Sequence, residues 1–207
     1  MKSVLILYPK SFKSNTKFSR KVLKIIQSLD SPQLTYMDDP HNFILEIARL
    51  QSLDMSKIEN IESNFNSITH AIIFDDGEEF HKEKTILQTK NIPLRLIKIL
   101  ITRVVNINHN IEFKSTKSTP TYEYIGRGSR WGNPYSILEI EDLDENEDPR
   151  ELVISNFKYD FEYDKLRTVS KKDVFSLAGK RLGCFCKPLA CHGDILAEYL
   201  NSWDDGK

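Results

Sequence analysis

The sequence predicts an α/β protein: a Rossmann-like parallel sheet in an N-terminal domain over 1–107, followed by a smaller α+β domain over 121–207. Three observations carry this. Short apolar runs alternate with amphipathic stretches at helical spacing through the first half. A polar, Ser/Thr/Lys-rich segment at 108–120 then breaks the pattern and reads as a linker. Beyond it, a glycine-rich loop and a cysteine–histidine cluster fall within one short stretch.

Val4–Leu7 is a short apolar run and predicts a buried strand. Ser14 or Asn15 is placed to cap a helix through about Leu29, with Phe18, Val22, Ile25 and Ile26 on its inner face. Leu34–Tyr36 predicts a second strand, and Ile44 to Leu53 a second helix. Ala71-Ile72-Ile73-Phe74 predicts a buried strand that ends in the turn Asp75-Asp76-Gly77. Residues 78–90 predict a polar helix and Pro93–Ile99 a further strand. Strands separated by helices imply parallel pairing with right-handed crossovers.

In the second domain, Glu123–Gly126 predicts a strand that enters the glycine-rich loop. The acidic run 139–148 reads as a solvated loop. Pro149 suits the first turn of a helix with Val153, Ile154, Phe157 and Phe161 inward. Lys165–Leu177 predicts another helix, stopped by Gly179. Arg181–Cys186 predicts a strand broken at Pro188, and Gly193 or Asp194 opens a last helix through about Trp203.

Composition narrows the function classes. The chain has 207 residues, 40% of them apolar and 29% charged, with a net charge of −1. That is enough chain to bury a core without staples, and the charge gives no global field to attract nucleic acid. No apolar run is long enough to span a membrane. The N-terminus lacks the longer apolar region and cleavage site of a signal peptide. A cytoplasmic location with reduced cysteines is therefore expected.

All three cysteines, Cys184, Cys186 and Cys191, fall in one segment, Gly183 to Asp194. Alternation along a strand puts Cys184 and Cys186 on one face. Cys191 and His192 precede a helix, where backbone N–H groups and the helix dipole favour a thiolate. Three readings stay open. Cys184, Cys186, Cys191 and His192 supply the ligand count of a zinc site, although not the spacing of a common zinc finger. Alternatively Cys191, His192 and Asp194 form a catalytic or anion-binding turn. In the plainest reading the cysteines are small core hydrophobes and His192 caps the helix.

The loop Tyr124 to Tyr135 carries Gly126, Gly128 and Gly132, which let a backbone approach a ligand closely. Arg127 and Arg130 suit a phosphate or carboxylate. Trp131 offers a flat face, and Asn133 both a donor and an acceptor. These residues, with Ser129, have the content of a nucleotide-like pocket. The competing reading is a tight structural loop with Trp131 in the core and Arg127 in a salt bridge.

Together these segments resemble an uncharacterised domain family of bacteria and their phages. The matching residues are Tyr124 to Pro134, Arg150-Glu151, Gly179-Lys180, Leu182, Cys184, Cys186, Pro188 and Cys191 to Asp194, and the resemblance covers about 122–203. It implies the domain and supplies no activity. The N-terminal part resembles SLOG-type Rossmann-like proteins and nucleoside deoxyribosyltransferases through Thr69 to Gly77 and Ile92 to Ile97. Where those families place a Gly-Thr turn to hold phosphate, Glu78-Glu79-Phe80-His81 stands here, and two carboxylates repel an anion. His70 and His81 read as ordinary polar residues.

The sequence thus points to an enzyme of nucleoside, nucleotide or DNA-base processing, with glycosidic-bond hydrolysis or transfer as the reaction. In that scheme Arg127 and Ser129 hold phosphate, Trp131 stacks, Asn133 orients, and His192 or Asp194 moves the proton, with Cys191 as a variant nucleophile. The rival readings are a non-catalytic module that sequesters a nucleotide or a protein, and a zinc-stabilised nucleic-acid-binding protein. The near-neutral charge argues against the last.

Overall fold

The computed structural model describes residues 2–108, 113, 115–140 and 148–206. The chain divides into two compact units, Met1–Leu100 with Ser202–Lys207, and Ile101–Asn201. Most of the acidic run (141–147) and part of the expected linker (109–112 and 114) lie outside the described residues.

The first unit runs β1 (Ser3–Leu7), α1 (Asn15–Ile26), β2 (Gln33–Tyr36), α2 (Phe43–Gln51), β3 (Met55–Lys57), β4 (His70–Asp75), α3 (His81–Thr89) and β5 (Leu94–Lys98). Its sheet has the order β3-β2-β1-β4-β5 and is parallel throughout. This is the Rossmann-like arrangement that the alternating runs predict. β1 is buried along its whole length because it is central and covered on both faces. β3 was not legible in Met55-Ser56-Lys57, which has too little apolar content; pairing of Leu34 with Met55 fixes it as an edge strand.

The strand order reverses around β1, which in such sheets leaves a crevice at the strand C-termini. Here the chain's own groups hydrogen-bond to one another at the strand ends. Tyr8 Oη donates to Asp39 Oδ1 at 2.5 Å, and Asp39 accepts from the Ile44 and Leu45 amides at the start of α2. After β4, Asp75 accepts from the Gly77 amide, and Asp76 from the amides of Glu78 and Glu79. The N–H groups that a phosphate would use before α3 therefore already have carboxylate partners. His70 and His81 make local bonds, to Thr69 Oγ1 and the Gly77 carbonyl.

The second unit has its own parallel sheet, β6 (Arg103–Asn106), β7 (Tyr122–Tyr124) and β8 (Arg181–Cys184), in the order β6-β8-β7. Around it lie α4 (Pro149–Glu162), the one-turn helix α5 (Lys171–Val174), a 3-10 turn (Phe175–Leu177) and α6 (His192–Ser202). α4 begins as Pro149 predicts, with the Asp148 side chain accepting from the Arg150 amide at 2.8 Å. The continuous helix expected over 165–177 does not form. Asp164 is left-handed (φ 54°), and a reciprocal Ser170–Asp173 capping box starts α5 afresh. β6 falls within the region read as the first domain, yet it pairs with β8 and belongs to the second unit. The second core gathers Ile125, Trp131, Phe157, Phe161, Leu182 and Leu196.

Candidate functional site

β8 delivers Cys184, and the turn after it brings back Cys191 and His192 at the N-terminus of α6. The Cys191 sulfur takes the place of the usual capping oxygen. It accepts from the Gly193 amide at 3.4 Å, and Asp194 returns the bond by accepting from the Cys191 amide at 3.0 Å. Lys187 pairs with Asp194 at 2.6 Å and further fixes the turn. Asn106 Nδ2 donates to the Lys187 carbonyl, tying the turn to the end of β6.

This packing converges the ligand-type atoms. Those of Cys184, Cys191 and His192 lie within 4.8 Å of one another, and all three residues are buried. Cys186 Sγ stands 3.4 Å from Cys184 Sγ. His192 Nε2 meets the Ile125 carbonyl at 3.0 Å. A carbonyl only accepts, so Nε2 carries the proton and Nδ1 keeps its lone pair. Nδ1 faces Cys191 Sγ at 3.6 Å. Burial pushes the His192 pKa down and holds the ring neutral. Hydrogen bonding from Cys191 brings the Cys184 thiol to about 5 in spite of its burial. The same bond, with burial, pushes Cys191 up, so the pair shares one proton. Burial also raises Cys186. A neutral imidazole whose other nitrogen is anchored on a backbone carbonyl, beside a thiolate, can hold a metal ion.

A pocket of about 390 Å³ opens over this cluster. Arg127, Asn133 and Arg150 line it together with the cysteines and His192. Arg127 is exposed at the rim. Arg150 reaches the Ala190 carbonyl at 3.4 Å and lies beside the Cys186 thiol. The structure therefore brings Arg127 and Asn133 to the cysteine–histidine cluster.

It does not bring the rest. Trp131 is 4% exposed in the core, with its indole N–H on Glu123 Oε1 at 3.2 Å. Arg130 lies over the Trp131 ring and pairs with Asp173 at 3.2 Å. Ser129 accepts from the Trp131 amide and shapes the turn. Asn133 lines the pocket, yet both ends of its amide are engaged, donating to the Val153 carbonyl and accepting from the Tyr135 amide. Gly132 is required by the loop itself, since a Cβ there would lie 2.9 Å from the Gly126 carbonyl oxygen. Gly126 is buried beneath Tyr124. Two groups at the site are not singled out by their residue type in the sequence, Arg150 and the Ile125 carbonyl. Arg150 stood in the family pattern and was a visible signal; a backbone carbonyl leaves none.

Comparison with known proteins follows the division of the chain. Residues 1–105 match the minimal SLOG domain, and residues 108–202 match a domain of unknown function, DUF4326. The chain is 40% identical over 78 residues to the uncharacterized 12.4 kDa protein in the nrdA-td intergenic region of Enterobacteria phage T4. That alignment covers 37% of this chain and 65% of the phage protein. No solved structure matches the chain. Among the described residues, no helix is long and apolar enough to cross a membrane.

Proposed function

We propose a function for this chain, which belongs to the minimal SLOG family, in which the second unit processes a nucleotide with the help of a zinc-class ion. One observation carries the reading: a single pocket combines a cationic rim, Arg127 and Arg150, with a floor of buried Cys184, Cys191 and His192 and half-buried Cys186. The first unit matches the minimal SLOG domain, and SLOG domains are linked to nucleotide-related ligands, which supports a nucleotide-related ligand for the chain without bearing on the second unit's pocket directly. A volume of about 390 Å³ suits a ligand of that size.

The donor set fits zinc. Sulfur and nitrogen ligands at about 2.0–2.3 Å from one tetrahedral ion lie about 3.3–3.8 Å from each other; the ligand atoms of the three side chains here fall within 4.8 Å, so small side-chain movements close them on an ion. When bound, zinc supplies Lewis acidity and lowers the pKa of coordinated water towards about 7. In this reading His192 is a ligand rather than a proton carrier. Asp194 is a positioning residue, since it holds the turn through the Cys191 amide and Lys187. Arg127 offers a two-pronged contact to phosphate at the rim, and Arg150 adds a second cation. A phosphate anchored there directs sugar and base towards the floor, so the glycosidic bond is the one we assign to cleavage or transfer.

The test is incubation of the intact chain with a panel of ribo- and deoxyribonucleotides, followed by chromatography of free base and free phosphate. Free base from wild type and none from Cys191→Ser is the expected result. Binding without any product would make the pocket a sequestering module. Neither binding nor turnover by any member of the panel would sink the reading.

A further inference from the structure

The first unit carries a second candidate site, unrelated to the cysteine–histidine pocket. The net charge of −1 conceals a strong segregation of charge. From Lys2 to Leu29 the chain has no Asp or Glu, while Lys10, Lys13, Lys17, Arg20, Lys21 and Lys24 all fall there. In α1, Lys17, Lys21 and Lys24 recur at intervals of four and three, which places them along one face of the helix. That face and the edge strand β5 form the walls of a groove of about 670 Å³, lined by Lys17, Lys21, Lys24, Arg95, Lys98 and Asp205.

Two cations of α1 are neutralised within the unit. Lys17 pairs with Asp205 at 2.8 Å, and Arg20 with Asp204 at 2.7 Å. Among the described residues, Lys21, Lys24, Arg95 and Lys98 have no ion-pair partner. Basic residues on an edge strand also guard against strand pairing, which accounts for Arg95 and Lys98. It does not account for a helix that carries no acid of its own and turns a row of lysines to the same concavity, where Asp205 pairs with Lys17. Like charges gathered in a groove repel each other until an anion enters.

We infer that this groove binds the phosphate backbone of double-stranded nucleic acid. The two α1 lysines without an ion-pair partner among the described residues, Lys21 and Lys24, lie about 4.5 Å apart along the helix at 1.5 Å per residue, close to the rise of about 3.4 Å between neighbouring phosphates of one duplex strand. The apolar part of the lining is aliphatic, Ile25, Leu96 and Ile97. Among the described residues it contains no aromatic face on which an unpaired base could stack, and no Trp or Tyr of the kind that anchors a protein partner. What the groove offers is charge along a line, the requirement for sequence-independent contact with a backbone.

The test uses the full chain and fluorescence anisotropy against labelled duplex DNA, duplex RNA, single-stranded DNA and polyglutamate over a salt series. Wild type is expected to bind a duplex with log K falling linearly with log salt, by about 0.9 for each phosphate engaged on DNA. Replacing Lys21, Lys24, Arg95 and Lys98 with Ala is expected to weaken binding about 100-fold at low salt and to flatten the slope by about 0.9 per cation lost. The four side chains lie at the surface or half-buried, and a thermal melt checks the fold of the variant. Lys21→Glu with Lys98→Glu gives a second variant, expected to abolish binding. The DNA and RNA arms identify which duplex is preferred. An unchanged slope in either variant overturns the inference. So does polyglutamate or single-stranded DNA bound as tightly as duplex, or no duplex binding at low salt. None of these outcomes bears on nucleotide turnover by the second unit, which is read separately.

Discussion

His192 gives its Nε2 proton to the Ile125 carbonyl at 3.0 Å, and this leaves Nδ1 open towards the cysteine sulfurs. β7 ends at Tyr124, so the carbonyl that orients the imidazole belongs to the residue that follows the strand into the glycine-rich loop. The loop and the cysteine cluster are thus joined by a hydrogen bond as well as by a shared pocket.

From that relationship we predict about one zinc-class ion per purified chain, read by elemental mass spectrometry. Cys184→Ser, Cys191→Ser and His192→Ala are each expected to lose it, and chelation is expected to lower the melting temperature. Cobalt replacement should give the intense absorption of thiolate coordination. A metal-free chain with three freely titrating thiols would refute the assignment.

Arg127 is exposed, so Arg127→Ala should leave the melting temperature unchanged while weakening nucleotide binding. Loss of a charge-assisted contact predicts about 1.5–3 kcal/mol, or roughly 10- to 150-fold in Kd. Arg150→Ala is expected to act in the same direction. Calorimetric titration with nucleoside monophosphates distinguishes this from a stability effect, and equal affinity in both variants and wild type would remove the rim from the site.

Glu123 ties the second unit together by accepting from Ser118 Oγ, Lys180 Nζ and Trp131 Nε1. Burial alone would raise its pKa; these three bonds outweigh burial and hold it below the ordinary value of 4.5. A depressed folded-state pKa stabilises the native state fully above pH 4.5, and the contribution fades as pH falls through the lower folded value. Glu123→Gln is therefore predicted to cost about 1–3 kcal/mol at pH 7. The gap between its melting temperature and that of wild type should narrow in acid. A gap independent of pH would show that the charge of Glu123 contributes nothing.

Trp131 separates a core role from a stacking role. As a buried residue, its replacement by Ala should destabilise by about 3–5 kcal/mol. Trp131→Phe should retain nucleotide affinity once allowance is made for any unfolded fraction. A Phe variant that folds normally and binds at least tenfold more weakly would return Trp131 to the ligand.

The sequence by itself determined the α/β class, the positions of β1 and β4, and the start of α4. Apolar runs without alternation, and a proline after an acidic cap, are local signals that tertiary context did not override. It also singled out Arg127 and the Cys184–Asp194 segment as candidate site residues, since three cysteines in so short a stretch are visible without a fold. Tertiary structure decided the rest. Met55–Lys57 is a strand because β2 pairs with it, not through its own propensity, whereas Arg103–Asn106 carries the β-branched Val104 and Val105 and only its pairing with β8 assigns it to the second unit. Trp131 and Asn133 have the chemistry of ligand contacts, yet Glu123, Val153 and Tyr135 claim their polar atoms. Arg150 enters the pocket, and the Ile125 carbonyl sets the imidazole, only because β8 and α6 return to the loop. Side-chain type says what a residue can bind; which partner reaches it first is settled by packing, because a buried polar group takes the nearest partner rather than wait for a ligand.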